Sequence, residues 1–258
     1  MKKILTFLAL ITFIMTANLF AKDWKVVRMA TEGAYPPFNS IGADGKLTGF
    51  DVDIGRALCD YLEVKCVWQT IAWDGTIPGI LARKYDAFVG SMSITEERLK
   101  KVAFTNKYYA SPTRFAAHED FFMRVMMGTQ GKVRIAAQKE SIQDRYITDV
   151  FGKTAEIVRY DLLPSEYLDM KSGRIDIVCA DGIALYEGFL KLPGNEMFQY
   201  IGPTITDEKY LGIGVGIAVH KNNQDLVELL NKGIAGIRAN GTYQKVQSKY
   251  FNIDVYGE

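Results

Sequence analysis

Residues 91–98 read Ser-Met-Ser-Ile-Thr-Glu-Glu-Arg and place two hydroxyls and an arginine where a predicted strand gives way to a helix. That chemistry suits a carboxylate. Ser91 and Ser93 offer hydroxyl and backbone N–H donors, and the planar fork of Arg98 can bond a carboxylate twice. Ser93 and Glu96 also have the spacing of a capping box, so the same segment reads as an ordinary helix start with a solvated arginine. What separates the two readings is whether the chain also supplies a partner for an ammonium.

The elements that would position this corner alternate. Strands are predicted over 26–31, 64–70 and 86–91, with Asp44-Gly45 turning a hairpin, Ile54, Ala57, Leu58 and Leu62 at helical spacing, and a short helix over 77–81. A second series follows residue 109: strands over 114–117, 133–137, 155–160 and 175–179, with helices from about residue 143 and over 163–170. From about residue 215 come a strand and two helical stretches, one over 226–238. Repeated strand and helix predict an α/β fold with largely parallel sheets, and two series predict two lobes. No low-complexity linker separates them, so the lobes are expected to be joined by paired crossings that act as a hinge. The expected division gives 22–110 and 214–258 to lobe 1, 113–205 to lobe 2, and 111–112 and 206–213 to the crossings. Gly212-Ile-Gly-Val-Gly216 superficially evokes a phosphate loop, but it lacks the Gly and Lys of a nucleotide motif and reads as punctuation near a crossing.

Composition excludes several classes. With 48% hydrophobic and 24% charged residues the chain is an ordinary globular one. Residues 1–21 read as a secretory signal: Lys2 and Lys3, an apolar run, then Leu19 and Ala21 at the cleavage positions. Its removal takes Lys2 and Lys3 and moves the net charge from +1 to −1. Such a chain has no electrostatic reason to bind nucleic acid or anionic lipid. No cysteine lies near Ala21 to carry a lipid, which points to a soluble protein of a Gram-negative periplasm. Cys59 and Cys66, at a predicted helix end and strand start, can form a disulfide in that oxidising compartment, leaving Cys179 buried and inert. His118 and His220 have no ligand-like spacing to the cysteine pair, so neither metal nor cofactor is expected.

Taken in order, several segments resemble type 2 periplasmic solute-binding proteins for polar amino acids, the extracellular solute-binding family 3 components of ABC importers. They are Ala30-Thr-Glu-Gly-Ala-Tyr-Pro-Pro-Phe38, Gly49-Phe-Asp-Val-Asp-Ile54, Trp73-Asp-Gly-Thr-Ile-Pro78, residues 91–98, Glu187-Gly-Phe-Leu-Lys191 and Tyr250-Phe-Asn-Ile-Asp-Val-Tyr-Gly257. The closing segment, the cysteines and Glu187 to Lys191 look most like the lysine/arginine/ornithine- and histidine-binding branch. Thr-Glu-Gly and Trp-Asp-Gly look more like the opine binders. The resemblance implies two α/β lobes with ligand in the cleft. It also implies roles: Arg98, Ser91, Met92 and Ser93 at the first-lobe anchor, Asp181 for the α-ammonium from the second lobe, and Tyr35 and Trp73 as walls around the ligand side chain. Glu32 falls at the distal acidic position, and Gln138, Ser141, Ile142 and Gln143 at second-lobe contacts.

Three departures bear on the ligand. Glu32 stands where cationic amino-acid binders usually carry aspartate, Gly90 replaces a serine and is expected to open space, and Ile142 replaces a threonine, leaving only its backbone N–H. The expected ligand is a cationic L-amino acid, with an arginine-derived opine of the octopine or nopaline type as the alternative. The expected partner is an inner-membrane permease, and the protein a monomer. Prephenate- or arogenate-type dehydratases share the fold, so an enzyme is the alternative from another class. It would need an acid or base at a leaving group, for which Glu32 is the only obvious candidate. No nucleophile elbow, zinc motif or nucleotide loop appears in the sequence.

Overall fold

The computed structural model describes residues 23–128 and 131–257, so the proposed signal segment 1–21 lies outside the described residues. In the strand Val26–Thr31, Val27, Met29, Ala30 and Thr31 are buried, which suits a central strand covered on both faces. It pairs in parallel with Lys65–Thr70 on one side and Ala87–Phe88 on the other, and Ala218–Val219 and Ala103–Phe104 complete a five-stranded sheet. The helix Phe50–Tyr61 buries Phe50, Val52, Ile54 and Leu58 and packs against the long helix Gln224–Ala239. It is preceded by Gly49 at φ 118°, where a Cβ would lie 2.3 Å from the Phe38 carbonyl oxygen; only glycine fits. Cys59 and Cys66 are bonded, Cα to Cα 6.1 Å, and tie this helix to the strand Lys65–Thr70, while Cys179 is free and buried.

A second five-stranded sheet runs in the order Glu156–Tyr160, Arg134–Gln138, Ile177–Asp181, Thr113–His118, Phe198–Ile205. In each sheet four strands point one way and one runs against them: Ala218–Val219 in the first, Thr113–His118 in the second. Each contrary strand is the one that follows a crossing, because a chain entering a lobe from the cleft must run away from it. The other strands end at the cleft, the place where open α/β sheets bind ligands.

The second crossing is only partly a linker. Its helix Glu208–Leu211 seats Tyr210 edge-on against Tyr146 of the helix Ile142–Phe151, with ring centroids 5.1 Å apart, and Tyr210 donates to Asp149 at 3.2 Å. Beyond Leu211 the chain pairs with the first lobe: Ile213 N–H donates to the Ile94 carbonyl and Ile94 N–H to the Gly214 carbonyl. Gly212, at φ 70°, passes so close to Ile94 that a Cβ would meet its carbonyl oxygen at 1.9 Å. The glycine-rich segment is therefore backbone punctuation at the change of lobe. The strand expected over 86–91 stops at Phe88, because Ser91 turns into the left-handed region at φ 57°.

Candidate functional site

A cavity lies between the lobes. Twelve of the thirteen residues singled out from sequence line it, together with Ser111 and Val215, which were not. Met92 is the exception. Its side chain packs in the core beside Phe88, Ile94 and Val102, and its carbonyl accepts from Gly216 N–H at 3.1 Å.

On the first-lobe side, one guanidinium nitrogen of Arg98 donates to the Ser93 carbonyl at 3.1 Å, and its Cζ stands 5.3 Å from the Trp73 ring centroid. Among the described residues no carboxylate lies within ion-pair distance of it; neighbouring Glu97 is engaged with Arg145. Burial lowers its pKa to about 10, so it stays cationic at neutral pH. The helix Glu96–Leu99 is capped by Thr95, whose hydroxyl accepts from Arg98 N–H at 3.3 Å, and not by Ser93. Ser93 is held in a bridge to Val215, which delays the helix start by two residues.

Ser91 is turned the opposite way from expectation. Its hydroxyl donates to Asp51 Oδ2 at 2.9 Å, so its oxygen is left to accept, which suits an ammonium better than a carboxylate. Asp51 is fully buried and also accepts from Asn39 at 2.9 Å and Tyr108 at 2.6 Å. Burial raises its pKa to about 6, held back by these donors. An acidic residue in the first turn of an otherwise apolar helix face was the only sequence signal of this role.

From the second lobe, Asp181 is both a helix cap and a cavity carboxylate. Its Oδ1 accepts from Ala184 N–H at 2.9 Å and from the Ser111 hydroxyl at 2.7 Å, and burial pushes its pKa up to about 6 against those bonds. Ser141 caps the helix Ile142–Phe151, accepting from Asp144 N–H at 3.0 Å. That leaves first-turn N–H groups of Ile142 and Gln143 at a helix start lining the cavity. Gln143 itself donates to the Thr113 hydroxyl at 3.1 Å.

At the far end Glu32 accepts from Gln138 across the cleft at 2.6 Å, and burial pushes its pKa up to about 7. Two ion pairs also cross the cleft, Asp74–Lys139 at 3.1 Å and Glu97–Arg145 at 2.6 Å, so the lobes are closed on one another. Gly90 lines the cavity through its backbone, but a Cβ there would meet the Phe88 ring at 2.7 Å. The expectation that Gly90 opens space for the ligand is therefore corrected: Phe88 fills that space.

Two α/β lobes, paired crossings and a charged interlobe cavity define a type 2 periplasmic-binding-protein fold. Residues 27–253 match the bacterial extracellular solute-binding proteins, family 3, and the chain belongs to that family. It is 42% identical over 258 residues to the L-arginine-binding protein of Pseudomonas aeruginosa, covering 100% of this chain and 99% of that protein. It is 34% identical to the lysine/arginine/ornithine-binding periplasmic protein of Escherichia coli, covering 100% of both. The solved structure of a Salmonella typhimurium periplasmic binding protein with high arginine specificity superposes with a TM-score of 0.78. That chain is 26% identical, and the match covers 88% of this chain and 100% of the other. These relatives are binding proteins by name, and the chain is a solute-binding protein.

Proposed function

We propose that the chain is the periplasmic solute-binding component of an ABC importer and that it closes on a cationic L-amino acid, arginine first. The carrying observation is one cavity lined by Arg98, which has no carboxylate partner among the described residues, and by two buried carboxylates, Asp181 and Glu32. The α-carboxylate fits Arg98 and the helix start at Ile142 and Gln143. The α-ammonium fits the Ser91 oxygen and the buried Asp181 carboxylate, whose Oδ1 accepts from Ser111 and Ala184. The aliphatic stem and guanidinium lie between Tyr35 and Trp73, and the distal charge meets Glu32. Charged hydrogen bonds contribute about 1.5–3 kcal/mol each, so a few of them with the aromatic walls reach the roughly −8 kcal/mol of micromolar binding. A ligand held by Arg98 from one lobe and Asp181 from the other adds to the Glu32–Gln138, Asp74–Lys139 and Glu97–Arg145 contacts that cross the cleft, and so favours closure.

In this reading residues 1–21 are cleaved on export, the mature protein is a monomer, and its closed form docks on an inner-membrane permease. An opine loses the space that Gly90 was expected to give it, since Phe88 occupies that place. Calorimetric titration with arginine, lysine, ornithine, histidine, octopine, nopaline and glutamine tests the assignment. The cationic amino acids should lead, and tight glutamine binding would overturn it.

A further inference from the structure

Gly90 is not a backbone necessity: it is absent from the residues with positive φ, so its glycine answers to space. An ideal Cβ at position 90 would lie 2.7 and 2.9 Å from two ring carbons of Phe88 and 3.2 Å from the Thr31 hydroxyl. The fully buried Phe88 ring folds over the glycine. The Thr31 hydroxyl, also fully buried, has no hydrogen-bond partner there. The Phe88 ring also meets Trp73 edge-on, with centroids 6.2 Å apart and planes at 64°. No hydrogen bond fixes the Trp73 indole among the described residues; the Phe88 ring and the Arg98 guanidinium stand against it. A chain of contacts thus runs from Gly90 through Phe88 to the cavity wall and on to the carboxylate anchor.

We propose that Phe88 is a positioning residue for the ligand site: its ring takes the volume that Gly90 leaves and braces Trp73, so positions 88 and 90 together set where the wall stands. The proposal rests on the ligand reading above, and its test has one readout that needs no ligand.

The experiment compares wild type, Gly90→Ser, Phe88→Leu and the double variant, each labelled with 5-fluorotryptophan and titrated with arginine and ornithine by calorimetry. The Trp73 fluorine resonance is identified by its loss in Trp73→Phe. Gly90→Ser pushes the ring toward Trp73, so it should shift that resonance and weaken arginine about tenfold, whereas the double variant restores the resonance and most of the affinity. Phe88→Leu alone leaves the wall unbraced and should reduce the preference for arginine over ornithine. If Gly90→Ser does not fold, Phe88→Leu carries the test, and an unchanged resonance and preference in it overturn the proposal. Additive losses in the double variant overturn it as well. Should wild type bind none of the amino acids while the resonance still shifts and recovers, the ligand reading fails and the brace stands.

Discussion

Acid should weaken arginine binding, and the amount follows from Glu32. Only the carboxylate attracts a cation, and burial holds this carboxyl at about 7 in the ligand-free cleft. A bound guanidinium draws the value down, so binding releases a proton and affinity falls as pH drops through 7. Between about pH 8 and about pH 5.5 the ionised fraction of such a group falls roughly thirtyfold. Asp181, at about 6 and facing the α-ammonium in this account, should add about fourfold over the same range. Calorimetry in two buffers of different ionisation heat measures both the affinity and the protons released. Wild type should lose about a hundredfold, and Glu32→Gln should lose only the roughly fourfold left to Asp181. Equal pH slopes for the two proteins would refute the reasoning and make Glu32 structural.

Arg98→Ala should abolish amino-acid binding, a loss of about 3–5 kcal/mol, with the ligand-free fold intact; near-native affinity would remove Arg98 from the site. Glu166 is fully buried with both carboxyl oxygens unpartnered, and burial, with Asp144 and Glu32 nearby, raises its pKa well above the usual carboxylate range. Its folded form holds the proton more tightly than the unfolded chain, so this residue costs increasing stability as pH rises above the unfolded value near 4.5. Glu166→Leu should therefore raise the melting temperature, more at pH 8 than at pH 5, by the equivalent of about 1–3 kcal/mol; a lowered one would show a partner. Without reductant, Cys59 and Cys66 should resist alkylation in protein purified from the periplasm, and reduction should cost about 2–3 kcal/mol.

Arg98 and Glu32 were legible because each lies in a segment whose order along the chain carries a resemblance, and Asp181 because that resemblance implies a second-lobe carboxylate at its position. The contacts that set their chemistry were not, since they join distant residues: Ser91 to Asp51 is 40 residues apart and Ser111 to Asp181 is 70. The misread cap has a local cause. Ser93 and Thr95 are both competent capping residues, and only the bridge from Ser93 to Val215 decides between them. Met92 was misplaced because the segment after Phe88 is irregular: Gly90, Ser91 and Ser93 line the cavity while Met92 packs in the core, and no period in the sequence separates them. Gly90 was misjudged because a sequence shows that a side chain is missing and not which neighbour has taken its place.

A cavity that selects a cation on an amino-acid frame must tell L-arginine from L-citrulline. The two ligands share length and shape and differ in the distal charge. Parallel titrations at about pH 8, where a carboxyl raised to about 7 is mostly ionised, should give arginine at least about tenfold tighter, because beside a neutral urea the buried Glu32 must either stay charged without a counter-charge or take up a proton. Equal affinities would contradict the account.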